Sequence, residues 1–365
     1  MFVILGIQNR YYTARMMPDQ QGACMSSYRI DALTTWAAQQ NGLSKADITL
    51  SSAVGDASFR RYFRLTLPNG TTQVVMDAPP EQEDSHPFVT IAQRWHSAGL
   101  AVPRVHAANL AEGFLLLDDL GSTPLQDLFT DDATIQAYHA QALSLIAELQ
   151  NRASPESLPA YDAALLGREL DLFPEWCLDA WLGLSPPESW PPLRESLIQQ
   201  ALAQPVVSVH RDFDAMNLML HDQRLFMIDF QDAVAGPLSY DLISLLRGRY
   251  CRFSDKQFSD FVTAFHQQAQ RDGRLSGRVD LATFLTQCHA MAAQRSLKVL
   301  GIFCRLTLRD QKRGYLARLP HFLAHLEDSL AVLTGLNLPA QAAFSEWVKH
   351  TLRPALLQRL AGAAS

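Results

Sequence analysis

Three oxygen-bearing side chains near the middle of the chain stand at intervals suited to one kind of chemistry. Asp212 ends the run His210-Arg211-Asp212, Asn217 follows five residues later, and Asp229 comes a hairpin's length beyond, in Ile228-Asp229-Phe230. A carboxylate to accept the proton of an attacking hydroxyl, then an amide oxygen and a second carboxylate, is the set that phosphoryl transfer from a magnesium-nucleotide requires. Such catalysis rests mainly on positioning and charge neutralisation, so a modest base suffices. Asp212 is therefore the candidate base, with His210 and Arg211 grouped beside it as braces of the loop. Magnesium prefers hard oxygens and takes one or two protein carboxylates alongside phosphate and water. Asn217 and Asp229 are accordingly the expected metal ligands, with Asp232 as a rival.

Those residues need particular elements around them. Val206-Val207-Ser208-Val209 is a strand-like run that delivers His210. Two further apolar runs, at 218–220 and 225–228, flank His221-Asp222-Gln223, which predicts a hairpin ending at Asp229. Asp241 opens a helical run through Leu242, Leu245 and Leu246, where an acid caps backbone amides. Upstream, the pattern predicts an amphipathic helix over 31–40, a strand-turn-strand around Gly55, a strand over 73–76, a helix over 87–98 and a strand or hairpin over 109–117. Asp118-Asp119-Leu120-Gly121 then forms a hinge. Helices dominate afterwards: Ile135, Tyr138, Ala142, Leu145, Ile146 and Leu149 share one face. Pro186, Pro187, Pro191 and Pro192 mark a loop, and residues 297–308, apolar nearly all round, a buried helix.

Composition narrows the classes. A chain of 365 residues that is 48% hydrophobic can bury a large core in two lobes. Net charge is −6, from 37 acidic and 31 basic side chains, which argues against a nucleic-acid partner. There is no polybasic run for a membrane surface and no obligate protein partner is evident. The apolar stretch over residues 1–7 is too short for a membrane span and lacks a basic segment before it, so a cytoplasmic protein is expected. The five cysteines lie far apart with no Cys-x-x-Cys pair and read as buried or incidental thiols.

The segments Gly55-Asp56-Ala57-Ser58-Phe59-Arg60-Arg61-Tyr62-Phe63-Arg64, Val75-Met76-Asp77-Ala78-Pro79-Pro80, Leu115-Leu116-Leu117-Asp118-Asp119-Leu120-Gly121 and Val209-His210-Arg211-Asp212-Phe213 carry a resemblance. Asp229-Phe230-Gln231-Asp232-Ala233, Tyr240-Asp241-Leu242 and Leu297-Lys298-Val299-Leu300-Gly301-Ile302-Phe303 extend it. From about residue 50 to about 320 the chain resembles the protein-kinase-like superfamily, in its aminoglycoside phosphotransferase and choline kinase branch. Within that branch it is most similar to bacterial kinases that phosphorylate N-acetylmuramate and N-acetylglucosamine at the anomeric hydroxyl. The resemblance implies an α+β, two-lobed protein-kinase-like fold, with a small antiparallel-sheet N-lobe over 28–119 and a larger, mostly helical C-lobe over 120–365. The resemblance also implies ATP and Mg2+, a sugar 1-phosphate product in peptidoglycan recycling, and an Asp241 that braces the catalytic loop. Residues 1–27 show no sustained periodicity and contain Met17 and Met25, so a disordered tail or a mis-assigned start is expected there.

On that reading Gly55, Asp56, Ala57 and Ser58 form a small-residue turn whose N–H groups lie over the phosphates. Asp118, Asp119 and Leu120 present backbone groups to adenine. Arg168, Glu169 and Trp176 are the candidate sugar contacts. Two departures stand out. The lysine that most kinases carry on the third strand is missing near Met76 or Asp77, and the basic residue two or four positions after the catalytic aspartate is replaced by Asp214 or Met216. Arg60, Arg61 and Arg64 are the nearest replacement charge for the phosphates. Two other readings remain: a kinase for an amino alcohol or aminoglycoside, and a nucleotide-binding pseudokinase. The lack of a dense acidic cluster weighs against the first, and the intact Asp212, Asn217 and Asp229 against the second.

Overall fold

The computed structural model describes residues 20–52, 59–335 and 339–363. In chain order the first elements are α1 (Gln20–Gln40), β1 (Thr49–Ser52), β2 (Arg61–Thr66), β3 (Thr72–Asp77), α2 (His86–Ser97), β4 (Val105–Asn109) and β5 (Phe114–Asp118). There follow α3 (Asp132–Arg152), α4 (Ala163–Leu172), a π-helical turn (Phe173–Leu182), α5 (Trp190–Leu202), β6 (Val206–Val209), β7 (Leu218–His221), β8 (Arg224–Met227) and β9 (Val234–Pro237). The rest is helical: α6 (Tyr240–Leu246), α7 (Asp255–Arg271), α8 (Leu281–Leu308), α9 (Leu319–Thr334), α10 (Pro339–Trp347) and α11 (Arg353–Ala363). The chain forms two compact units. One comprises the described residues through Phe129 together with Met216–Asp232, and the other Thr130–Ala215 and Ala233 onward.

The first unit is built on an antiparallel sheet in the order β1-β2-β3-β5-β4. Alternation along the strands turns Leu65, Val75, Phe114 and Leu116 to one side, where Leu33 and Ala37 of α1 close the core. That helix is already formed at Gln20, earlier than the apolar pattern indicates, and residues 1–19 of the expected tail lie outside the described residues. In α2, Phe88, Val89, Ile91, Ala92 and Trp95 make the buried face. The β7–β8 hairpin belongs to this unit, with Leu218 opposite Met227 and His221 opposite Arg224. Asp222 and Gln223 at its tip have φ of 47° and 63°, as a two-residue loop of matching twist requires.

The second unit is helical apart from the β6–β9 pair, in which Val206 faces Pro237 and Val209 faces Val234. The stripe expected on α3 is there: Ala142, Leu145, Ile146 and Leu149 are buried. Pro191 and Pro192 lie in the first turn of α5 rather than in a loop, because a helix start has no use for the N–H that proline lacks. The central helix is α8, whose residues from Gln287 to Leu306 are all buried. Gly301 lets it approach the backbone where α4 ends; a methyl group there would stand 2.7 Å from the Phe173 nitrogen and closer still to the Leu172 carbonyl. Among the described residues no helix is long and apolar enough to cross a membrane. Cys177, Cys288 and Cys304 are buried free thiols.

Candidate active site

In the second unit, β6 leads directly into His210, which is fully buried. The Asp241 carboxylate, at the start of α6, accepts the His210 N–H at 2.7 Å and the Arg211 N–H at 3.0 Å. It therefore braces the loop rather than capping its own helix. Burial pushes its pKa up to about 7, against the pull of those two N–H groups and of Arg295. Arg211 has φ of 78°, a left-handed conformation that costs a non-glycine residue about 1–3 kcal/mol and persists only where its surroundings over-determine it.

Here the surroundings are a buried charge cluster. Arg211 Nη2 and Lys298 Nζ reach Glu169 Oε1 at 2.7 and 2.8 Å. The Tyr161 hydroxyl donates to Glu169 Oε2, and Lys298 also donates to the Tyr240 hydroxyl at 3.0 Å. Glu169 is only 3% exposed. Burial alone would raise its pKa, but Lys298 and Arg211 outweigh it and hold the carboxyl at about 2. The loop turns sharply after Arg211, with the Asp214 N–H bonded to the Asp212 carbonyl at 2.9 Å, and leaves Asp212 half-buried.

In the first unit, hairpin register does the positioning. Because Leu218 pairs with Met227, Asn217 stands opposite Ile228, whose N–H bonds the Asn217 carbonyl at 3.0 Å, and Asp229 is one residue on. Both side chains are nearly buried, at 2% and 9% exposure. Asp229 adopts φ of 64° and accepts from Gln231 Nε2 at 2.7 Å. Phe230 anchors this turn by stacking on Phe88 and tilting against Trp95 of α2, at 4.9 and 5.6 Å between centroids. An amide oxygen and a carboxylate at one end of a hairpin fit a hard divalent cation that draws its other ligands from phosphate and water.

The three candidate arginines diverge. Arg60, 4% exposed, pairs with Glu83 at 2.7 Å and comes within 4.0 Å of Asp229. Arg61, cross-strand from Asp77, bonds that carboxylate, which Arg29 also holds at 2.7 Å. Arg64 makes a two-pronged contact to Asp119 at 2.6 and 2.9 Å. Only Arg60 is brought to a proposed metal ligand. Asp118 accepts from the Arg104 N–H at 2.9 Å and contacts His106 Nε2 at 2.7 Å, so both hinge carboxylates have partners within the unit. Gly55, Asp56, Ala57 and Ser58 lie outside the described residues. Of the suggested sugar contacts, Glu169 is in the charge cluster, Arg168 is exposed on α4, and Trp176 is half-buried in the π-helical turn.

Sequence reasoning did not single out Lys298 or Glu83 as site residues. Lys298 had a usable signal: a cation in a helix apolar nearly all round must find a buried partner. Glu83 had none, since charged residues in loops are ordinarily solvated.

Comparison with known proteins agrees with this architecture. The chain is 38% identical to an N-acetylmuramate/N-acetylglucosamine kinase of Pseudomonas putida, over 82% of this chain and 91% of that protein. It is 37% identical to one of Neisseria meningitidis, over 77% and 85% respectively. Among solved structures, an ethanolamine kinase from Plasmodium vivax superposes with a TM-score of 0.56 at 8% identity, covering 77% of this chain and 82% of that one. A choline kinase from Cryptosporidium parvum superposes with a TM-score of 0.54 at 10% identity, over 89% and 100%. Those two likenesses show the fold: the α+β, protein-kinase-like arrangement of a small antiparallel sheet and a mostly helical remainder. Residues 49–278 match the phosphotransferase enzyme family, and the chain belongs to it.

Proposed function

We propose that this phosphotransferase uses ATP to phosphorylate the anomeric hydroxyl of N-acetylmuramate and N-acetylglucosamine, yielding the sugar 1-phosphates in peptidoglycan recycling. The observation that carries the chemistry is the Asp212 loop, held by Asp241 and Glu169 in a strained left-handed turn. The acceptor follows from the names of relatives that are 38% and 37% identical. In the reaction the anomeric oxygen forms a bond to the γ-phosphorus while the bond from that phosphorus to the β–γ bridging oxygen breaks. ADP leaves, and the hydroxyl proton passes to Asp212. An anomeric hydroxyl is more acidic than an ordinary alcohol, which suits a carboxylate base. Asn217 and Asp229 would hold Mg2+, which when bound neutralises phosphate charge. Arg60 supplies positive charge beside Asp229. Dependence on cellular ATP suits a cytoplasmic protein.

The test is coupled ADP release with N-acetylmuramate, N-acetylglucosamine, choline and kanamycin side by side, then phosphorus NMR of the product. Turnover of the two sugars to anomeric phosphates is expected, and Asp212→Asn should lower it at least about a hundredfold. Turnover confined to choline or kanamycin would overturn the acceptor, and a nearly active Asp212→Asn would overturn the base.

A further inference from the structure

The catalytic loop departs from the kinase pattern at Asp214, where an acid stands two residues after Asp212. An anion next to a reacting phosphoryl group opposes the reaction unless it is neutralised. Asp214 is 4% exposed and is committed twice: its Oδ1 accepts the Ala215 N–H at 2.7 Å, and its Oδ2 accepts from Arg249 Nε at 3.2 Å. Arg249 follows α6 immediately after Gly248, where an added methyl would stand 3.2 Å from Asp214 Oδ1. The chain after α6 is thus pressed against the loop.

The form of this ion pair matters. Asp214 engages only Nε, the inner nitrogen of the guanidinium. Among the described residues no acceptor is bonded to either terminal nitrogen of Arg249, although its side chain is only 14% exposed. A guanidinium gripped by Nε has a fixed plane and two outer nitrogens ready for a second anion, the fork that suits phosphoryl oxygens. Burial works against its charge, but Asp214, Tyr250 and Asp212 outweigh it and raise its pKa above the ordinary arginine value. The Asp214 N–H is bonded to the Asp212 carbonyl at 2.9 Å, so the anion that holds the guanidinium belongs to the same tight turn as Asp212.

We infer that Arg249 is a catalytic residue that donates through its terminal nitrogens to the phosphoryl group in transit to the acceptor oxygen on Asp212, with Asp214 as its positioning residue. This rests on Asp212 being the base of a phosphoryl transfer. The missing loop cation is then supplied from after α6, and the acid at 214 is what aims it. An arginine so placed acts on charge that develops during transfer, so its loss falls on kcat more than on KM.

Arg249→Ala, Arg249→Lys and Asp214→Asn should be assayed with whichever acceptor of the panel above the wild-type protein turns over. Wild-type turnover thus judges the sugar reading before any variant judges Arg249. Arg249→Ala is expected to lower kcat about a hundredfold or more, with both Michaelis constants within about threefold. Added guanidinium ion should restore part of that activity saturably. Arg249→Lys should retain an intermediate kcat, because it keeps the charge but loses the fork. Asp214→Asn should lose less than Arg249→Ala, since the charge remains while its aim is relaxed. Three results would overturn the inference: wild-type kcat in Arg249→Ala, a loss that guanidinium does not relieve and Asp214→Asn matches, or a KM defect confined to N-acetylmuramate. The last would assign Arg249 to that sugar's carboxylate instead.

Discussion

Replacing Glu169 by glutamine tests whether the charge cluster holds the catalytic loop. The substitution preserves shape and removes one negative charge facing two cations, Arg211 and Lys298, at 2.7 and 2.8 Å. Glu169 and Lys298 are 3% exposed, so water does little to compensate. The folded carboxyl sits at about 2, against an ordinary value of 4.5. A depressed carboxyl contributes stability that is fully present above the unfolded value and is lost as pH falls through the folded one. At 1.36 kcal/mol per unit, the contribution at pH 7 is on the order of 3 kcal/mol, in line with the ~3–5 kcal/mol cost of breaking a buried pair. By the same relation it shrinks to about 2 kcal/mol at pH 3.5. Urea unfolding of wild type and Glu169→Gln at the two pH values gives the difference directly. Steady-state kinetics at pH 7 should show a lower kcat as well, because Arg211 loses the contact that stabilises its left-handed backbone. A stability difference below about 1 kcal/mol, or one unchanged between pH 7 and pH 3.5, would refute the assignment of Glu169 as the buried anion of this cluster.

Three further outcomes are expected. Asp229→Ala should abolish activity and Asn217→Ala should raise the magnesium concentration needed for half-maximal rate; unaltered magnesium dependence in both would move the metal to Asp232. Arg60→Ala should raise the nucleotide KM roughly ten- to hundredfold, the scale of a lost charge-assisted contact to phosphate. Arg61→Ala should leave it within about threefold, since Arg61 is held by Asp77, and equal nucleotide defects in the two variants would contradict that division. Gly301→Ala should destabilise the protein by about 1–3 kcal/mol in urea unfolding, because α8 cannot take a methyl group against the Leu172 carbonyl without shifting; wild-type stability would mean that α8 and the end of α4 are further apart.

The sequence by itself determined the parts whose physics is local. Two short apolar runs with turn-like residues between them are written in 218–228, and the register they adopt puts Asn217 and Asp229 at one end of a hairpin. The buried face of α3 and the burial of residues 297–306 in α8 likewise follow from apolar spacing. Tertiary structure decided which charges meet. Nothing in the order of residues says that Glu169 stands between Arg211 and Lys298, that Asp77 takes Arg61 while Glu83 takes Arg60, or that Asp214 meets Arg249. Nor does it say that Met216–Asp232 belongs with the residues before Phe129. The reason is physical: an ion pair's worth depends on the water excluded around it, and that exclusion exists only once distant segments have packed.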